Sequence, residues 1–302
     1  MWYSDKGRYW LTIRQFGRQQ QNDKFINMAM KKYFKKILAR VGYNIIKVPR
    51  SSDNVLKSRL SKHLHKGYFY EDNAFEAIQV VSSHTMLTYD PLVTLFEQVI
   101  YCELNNIEGD LVECGVWKGG ASGVMALANI KYGKQRRNLH LFDSFQEICQ
   151  PDEEHDDIKL IEEVKLLGNK KEFDKTLQPL TGIYDQFGGP GTLDENKKLL
   201  ETTIRYPSMY LHYHVGWFQD TVPVDSAGIN KIAILRLDGD WYGSTKVCLD
   251  HLYDKVVKGG IVIVDDYGYN TGCKKAVDNF LLEKNAHPLL NYTGDYCLYF
   301  IK

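Results

Sequence analysis

Hydrophobic positions in the last third of the chain fall into two unbroken runs, Ile232-Ala-Ile-Leu-Arg-Leu237 and Ile261-Val-Ile-Val264. Continuous β-branched runs of this length predict parallel strands buried on both faces. Between them, residues 244–257 predict a helix that ends at Gly259-Gly260, and a helix over 273–283 and a strand over 296–301 follow. Upstream, Leu111 to Cys114 predicts a strand running into a glycine turn and a helix through Ala128. A short strand over 138–143 and an alternating one over 209–215 come next. Apolar spacing near 70–82 and 91–105 predicts two earlier helices, with Pro91 tolerated in a first turn and Asp90 as the cap. Strands alternating with helices imply an α/β domain with a doubly wound, mostly parallel sheet and helices on both faces.

Two stretches break this rhythm. From Ser144 to about Thr203 the pattern loosens around an acidic block, Pro151-Asp-Glu-Glu-His-Asp-Asp157, which predicts a solvated loop. Phe187-Gly-Gly-Pro-Gly191 then predicts a flexible connection to a helix starting near Leu193, so the whole insert, about 146–203, has the character of a lid. Residues 1–27 show no firm period, whereas 30–41 predict a basic amphipathic helix and 49–53 a linker. That helix could dock on a membrane surface. Packing against the catalytic domain or a second subunit is the reading preferred here, because one short helix is a weak anchor.

Composition adds an asymmetry. The chain of 302 residues has zero formal net charge, yet residues 1–66 hold 16 Lys/Arg against three acids, a balance of +13, leaving 22 basic and 35 acidic residues for the remainder. A basic arm on an acidic body predicts that the arm folds onto that body or onto a partner copy, as a homodimer or higher homo-oligomer. The chain therefore divides into a basic, largely helical extension over 1–80 and an α/β domain over 81–302. Six scattered cysteines with no C-x-x-C pair argue against a disulfide framework or a zinc cluster and fit a cytoplasmic location. No apolar run approaches the roughly 18 residues of a transmembrane segment, and no cleavable signal is evident. Nucleic acid is not expected as a partner.

Chemistry concentrates in Leu111-Val-Glu-Cys-Gly-Val-Trp-Lys-Gly-Gly-Ala-Ser122. Glycines at 115, 119 and 120 allow close approach of backbone or ligand, and a strand–turn–helix is where α/β sheets place a nucleotide-like ligand. Glu113 is placed to accept a hydrogen bond or oppose a cation. Trp117 breaks the dinucleotide fingerprint, and Ala121-Ser122 stand where a P-loop needs its lysine. S-adenosylmethionine, which needs no pyrophosphate cradle, suits the turn; a turn serving only tight packing is the plainer alternative. Asp143, ending the next strand, is a candidate ribose ligand, or else a cap for its own turn. Asp238, Asp265 and Asp266 follow two further strands and meet on the same edge if those strands are neighbours. Clustered carboxylates repel unless a proton or cation intervenes, and an all-oxygen set favours Mg²⁺. Such an ion would acidify a substrate hydroxyl and hold it in line, with Asp238 also helping to remove the proton. His212 and His214 share a strand face, but with no third soft ligand nearby they are expected to make ordinary hydrogen bonds rather than a metal pair.

At this point the chain resembles the macrocin O-methyltransferases (TylF type). The resemblance rests on Gly109-Asp-Leu-Val-Glu-Cys-Gly-Val-Trp-Lys-Gly-Gly120, Phe142-Asp-Ser-Phe145, Gly216-Trp-Phe-Gln-Asp-Thr-Val-Pro223, Leu235-Arg-Leu-Asp-Gly-Asp-Trp-Tyr-Gly-Ser-Thr245 and Gly259-Gly-Ile-Val-Ile-Val-Asp-Asp-Tyr267, in consistent order over roughly 84–301. It implies a Rossmann-like class I methyltransferase fold and transfer of a methyl group from S-adenosylmethionine, with Mg²⁺, to a sugar hydroxyl of a glycosylated metabolite or surface-polysaccharide precursor. It implies Glu113, Gly115, Val116, Ser122, Asp143 and Ser144 at the cofactor, Thr85 and Met86 lining its pocket, and Asp238, Asp265 and Asp266 at the metal. A non-catalytic nucleotide-binding module is disfavoured by the clustered acids, and an NAD(P)-dependent oxidoreductase by Trp117. The chain departs from the family where Asp-Ser-Phe-Glu-Gly-Leu-Pro becomes Asp143-Ser-Phe-Gln-Glu-Ile-Cys149, which bears on the acceptor rather than the chemistry.

Overall fold

The computed structural model of the protein describes residues 67–168, 172–173, 176–294 and 296–302. The expected basic helix over 30–41 and the linker over 49–53 lie outside the described residues. Seven strands form one sheet: β1 (Asp110–Cys114), β2 (Leu139–Asp143), β3 (Leu211–Val215), β4 (Ile232–Leu237), β5 (Val256–Val264), β6 (Asn291–Thr293) and β7 (Cys297–Ile301). Their order is β3-β2-β1-β4-β5-β7-β6. The first five run parallel, and β7 joins antiparallel to both β5 and β6.

Both faces are covered, as the unbroken apolar runs require. Val112, Cys114, Phe142, Leu235, Leu237, Val262 and Val264 form one core with α6 (Phe218–Asp225), α7 (Tyr242–Leu252) and α8 (Thr271–Glu283). Side chains alternate along a strand, so Glu113 and Arg236 point to the opposite face. There α1 (Glu71–Val81), α2 (Tyr89–Leu104) and α3 (Gly120–Tyr132) pack on one another. The doubly wound α/β fold is thus the one the pattern predicts. All six cysteines are buried and unpaired, and no helix among the described residues is long and apolar enough to cross a membrane.

Element boundaries differ in instructive places. Helix α2 begins at Tyr89 with Thr88 at its N-cap and no side-chain cap bond, so Asp90 lies inside the first turn rather than capping it. The helix expected over 244–257 stops at Leu252, because Val256 already pairs with Ile232 at the start of β5. Strand β6 and α4 (Ile158–Leu167) are too short or too mixed to stand out in the sequence.

The insert after β2 is not structureless. It carries α4, α5 (Leu193–Lys197, opened by a Thr192/Glu195 capping box) and a π-helical turn at Lys198–Thr203. Cys149, Val164 and Leu180 form a small apolar cluster of their own around Trp241, a residue of the main domain.

On the α6 side of β2 and β3 lies a closed polar array. His140 Nδ1 meets His214 Nε2 at 3.1 Å, His140 Nε2 meets Asp110 at 3.3 Å, and His214 Nδ1 meets Asp225 at 2.8 Å. His212 bonds Asn138 at 3.1 Å and stacks on His140. The strand histidines therefore make ordinary hydrogen bonds, as expected.

Candidate active site

The chain winds outward from β1 to β2 and β3, then returns to β4 and winds the other way. Ligands of open α/β sheets bind at the carboxyl ends of strands flanking such a reversal. Here the backbone ladder continues one residue beyond each strand: Gly115 N–H donates to Phe142 O (2.9 Å), Asp238 N–H to Cys114 O (2.8 Å) and Asp265 N–H to Leu237 O (2.9 Å). Three turns consequently start level, side by side. Gly115 has φ +91°, and a Cβ there would fall 1.8 Å from the Asp238 carbonyl oxygen. A glycine is required at this point because the glycine turn and the carboxylate turn touch. Thr85 is brought to the same turn, since a Cβ on Gly120 would lie 2.5 Å from the Thr85 Cβ. Met86 is 47% exposed.

Asp143 organises the turn from the neighbouring strand. Its Oδ2 accepts from the backbone N–H of Val116 (2.6 Å) and Trp117 (3.0 Å), and its Oδ1 from Phe145 (2.6 Å). Burial pushes its carboxyl up, and the three N–H donors oppose that shift. A carboxylate offers about four acceptor positions, so one remains for a ligand hydroxyl. Ser144 is buried and its hydroxyl accepts from Gln146 N–H at 3.2 Å.

Sequence reading missed the centre of the site, Arg236. It is the register partner of Glu113 on adjacent parallel strands and only 2% exposed. Its Nη1 bonds Glu113 (2.7 Å) and Asp238 (2.8 Å), and its Nη2 bonds Asp265 (2.8 Å). Ser122, fully buried on α3, donates its hydroxyl to the second oxygen of Glu113. Glu113 thus opposes a cation as anticipated, but the cation is the protein's own; burial still raises its carboxyl to about 7. The available signal was an arginine inside an otherwise apolar run, because a charge buried there must be paired.

Asp238, Asp265 and Asp266 each present one oxygen, and these oxygens lie within 4.8 Å of one another. Among the described residues no other group of three carboxylate, imidazole or thiol side chains meets that geometry. Asp240 adds a fourth acid: its N–H donates to Asp266 Oδ2 at 3.1 Å, and its backbone sits at φ +60°, rare for a non-glycine residue. Burial and then the neighbouring acids raise Asp240 and Asp266 well above the usual carboxylate range, and Asp265 to about 6. One guanidinium faces Glu113, Asp238 and Asp265, while Asp240 and Asp266 make no ion pair among the described residues. The surplus is negative, desolvated and made only of oxygen donors, which suits a hard divalent cation.

The insert reaches both turns. Trp117 Nε1 donates to Gly189 O (3.2 Å), Lys118 Nζ to Phe187 O (3.2 Å) and Gly188 O (3.1 Å), and Asn196 Nδ2 to Trp117 O (2.7 Å). Glu147, a buried residue within the family-divergent stretch 146–149, accepts from Gly182 N–H (3.2 Å) and Tyr184 N–H (3.1 Å). It thereby holds Tyr184, whose hydroxyl is pushed well up by burial and then by Asp240, Asp143, Asp238 and Asp266.

A family model described as macrocin-O-methyltransferase (TylF) matches residues 79–302. The chain is similar to the demethyldecarbamoylnovobiocin O-methyltransferase of Streptomyces niveus, 34% identical over 204 residues, 66% of this chain and 68% of that one. It is also similar to the 8-demethyl-8-(2,3-dimethoxy-alpha-L-rhamnosyl)-tetracenomycin-C 4'-O-methyltransferase of Streptomyces olivaceus, 30% identical over 198 residues, 66% of this chain and 67% of that one. Among solved structures, the O-methyltransferase NovP superposes with a TM-score of 0.60 at 27% identity, covering 83% of this chain and 97% of that one.

Proposed function

The chain belongs to the macrocin-O-methyltransferase (TylF) family and is an O-methyltransferase, and we propose that it methylates a sugar hydroxyl of a glycosylated small molecule using S-adenosylmethionine and a divalent cation. The observation that carries this reading is the contact between the Gly115 turn and Asp238, which sets a donor turn directly beside three converging carboxylates. The rhamnosyl-bearing acceptor in the name of the Streptomyces olivaceus relative supports a glycoside as the acceptor class. The nucleotide-binding-module and oxidoreductase alternatives give way to family membership.

In this reading the methyl donor lies against residues 115–120, with Thr85 alongside and the free acceptor position of Asp143 turned to its ribose. S-adenosylmethionine supplies the electrophilic methyl group. Asp238, Asp265 and Asp266 would hold a cation such as Mg²⁺, which lowers the pKa of a coordinated hydroxyl. Arg236 fixes Asp238 and Asp265 in place through its 2.8 Å bonds. Asp238, and beside it Asp240, which has no ion-pair partner among the described residues, are placed to take the hydroxyl proton. Tyr184, held by Glu147, and Trp117 close the donor side against water.

Calorimetric titration of S-adenosylhomocysteine into the protein, first with Mg²⁺ and then with EDTA, tests the reading. Micromolar binding in both conditions is expected, with the cation needed only when a glycoside acceptor is methylated. No binding in either condition overturns the donor site.

A further inference from the structure

The acidic block at 152–157 has the composition of a solvated loop, yet Asp156 is only 6% exposed. Its Oδ1 accepts from the backbone N–H of Tyr242 at 2.9 Å, and its Oδ2 from Asp152 N–H at 2.7 Å. The first turn of α8 closes in from the other side: a Cβ on Gly272 would fall 1.6 Å from Asp156 Oδ1. The carboxylate thus sits against the first turns of both α7 and α8, where helix dipoles favour negative charge. Burial raises it to about 6, and the Tyr242 and Asp152 N–H donors oppose that shift.

Tyr242 is the first residue of α7, two positions after Asp240 and four after Asp238. The turn between β4 and α7 is strained, with Asp240 at φ +60°, and strained backbone persists only where surroundings over-determine it. Three contacts from the insert grip its far end. Besides the Asp156–Tyr242 bond, Trp241 Nε1 donates to Cys149 O at 2.8 Å, and the Tyr242 ring stacks on His155 at 4.1 Å and 11°. From the near end, the Asp240 N–H bond to Asp266 ties the turn to β5.

We propose that Asp156 is a positioning residue: through the Tyr242 backbone it holds the 238–241 turn in the conformation that gathers Asp238 and Asp240 against Asp265 and Asp266. The proposal rests on the reading of those acids as the reaction centre, but holding the turn is measurable without any methyl acceptor. The competing role is purely local, in which Asp156 only fastens the insert.

The test compares the full-length wild type, Asp156→Ala, Asp156→Asn and Gly272→Ala. It follows amide hydrogen exchange across residues 148–168 and 238–246, Mn²⁺ affinity from the free-ion EPR signal, and S-adenosylhomocysteine affinity by calorimetry. Loss of a charge-assisted hydrogen bond should speed exchange in 238–246 by about tenfold or more and weaken Mn²⁺ binding by about tenfold in Asp156→Ala, leaving S-adenosylhomocysteine affinity unchanged. Asp156→Asn keeps an acceptor oxygen for Tyr242 and should restore most of both effects. Gly272→Ala should reproduce the alanine phenotype by displacing the carboxylate without removing it. Faster exchange confined to 148–168, with turn protection and Mn²⁺ affinity at wild-type levels, overturns the proposal. If no variant binds S-adenosylhomocysteine, the functional reading fails, while the exchange data at 238–246 still decide whether Asp156 holds the turn.

Discussion

Two polar networks are buried on the same parallel sheet, and they are built on opposite principles. In the Asp110–His140–His214–Asp225 array each of the four ring nitrogens of the two histidines has a partner. Around Arg236 the balance does not close: one guanidinium holds Glu113, Asp238 and Asp265, while Asp240 and Asp266 crowd in without an ion pair among the described residues. A satisfied network fixes structure. An unsatisfied one, placed where the sheet reverses direction, fits the proposed binding of a cation.

Four measurements break or sharpen that contrast. The largest effect should come from Arg236→Met, which strands buried Glu113 and Asp265 and should cost about 3–5 kcal/mol of stability. Denaturant unfolding reads it, and wild-type stability would mean that the arginine is not the keystone of the site. Next, Asp238→Asn should lower methyl transfer by about 10²–10³-fold while S-adenosylhomocysteine affinity stays near wild type. Full turnover by this variant in excess chelator would sink the metal mechanism. Third, Asp143→Ala and His214→Phe form a matched pair, each losing about 1–3 kcal/mol through broken hydrogen bonds. For Asp143 the loss should appear in cofactor affinity by calorimetry, for His214 in global stability alone; a cofactor effect at His214 would erase the distinction between the networks.

The smallest effect separates them by pH. Burial lowers His212 and His214 below the ordinary value of 6.5. The unfolded chain therefore binds more protons there, and stability is lost as pH falls from about 7 toward 5. Asp265 is shifted the opposite way, from 3.8 to about 6. The folded chain then holds the proton more tightly, so stability is lost as pH rises from about 4 to about 6. Melting curves in EDTA should show His214→Phe reducing the acid-side loss and Asp265→Asn the loss on the rising side. Parallel profiles for the two variants would refute the opposite signs.

The sequence was legible where a periodic signal had no rival. Continuous apolar runs announced β4 and β5 because strands buried on both faces have no polar side to show. The Gly115 turn and the acids after β4 and β5 stood out because strand ends carry the chemistry of such sheets. In the insert only the helix starting at Leu193 was legible, for the converse reason: α4 and the Trp241 cluster draw on residues far apart in the chain, and no local period records a contact with a distant partner. The acidic block shows this best, since five acids in six positions, 152–157, suggest solvation, whereas one of them is buried between two helix starts.

By itself, then, the sequence determined the α/β architecture, the glycine turn, and the acids Asp238, Asp265 and Asp266 at strand ends, because periodicity, backbone freedom and residue chemistry are local properties. That β4 and β5 are neighbours and bring those acids together was decided by the sheet order. Only the tertiary structure decided that Arg236 pairs with Glu113 across two strands, that Asp143 binds the turn it faces, and that Asp156 grips α7. Register and long-range packing set those contacts, and a one-residue slip of β4 against β1 would turn the arginine to the other face of the sheet.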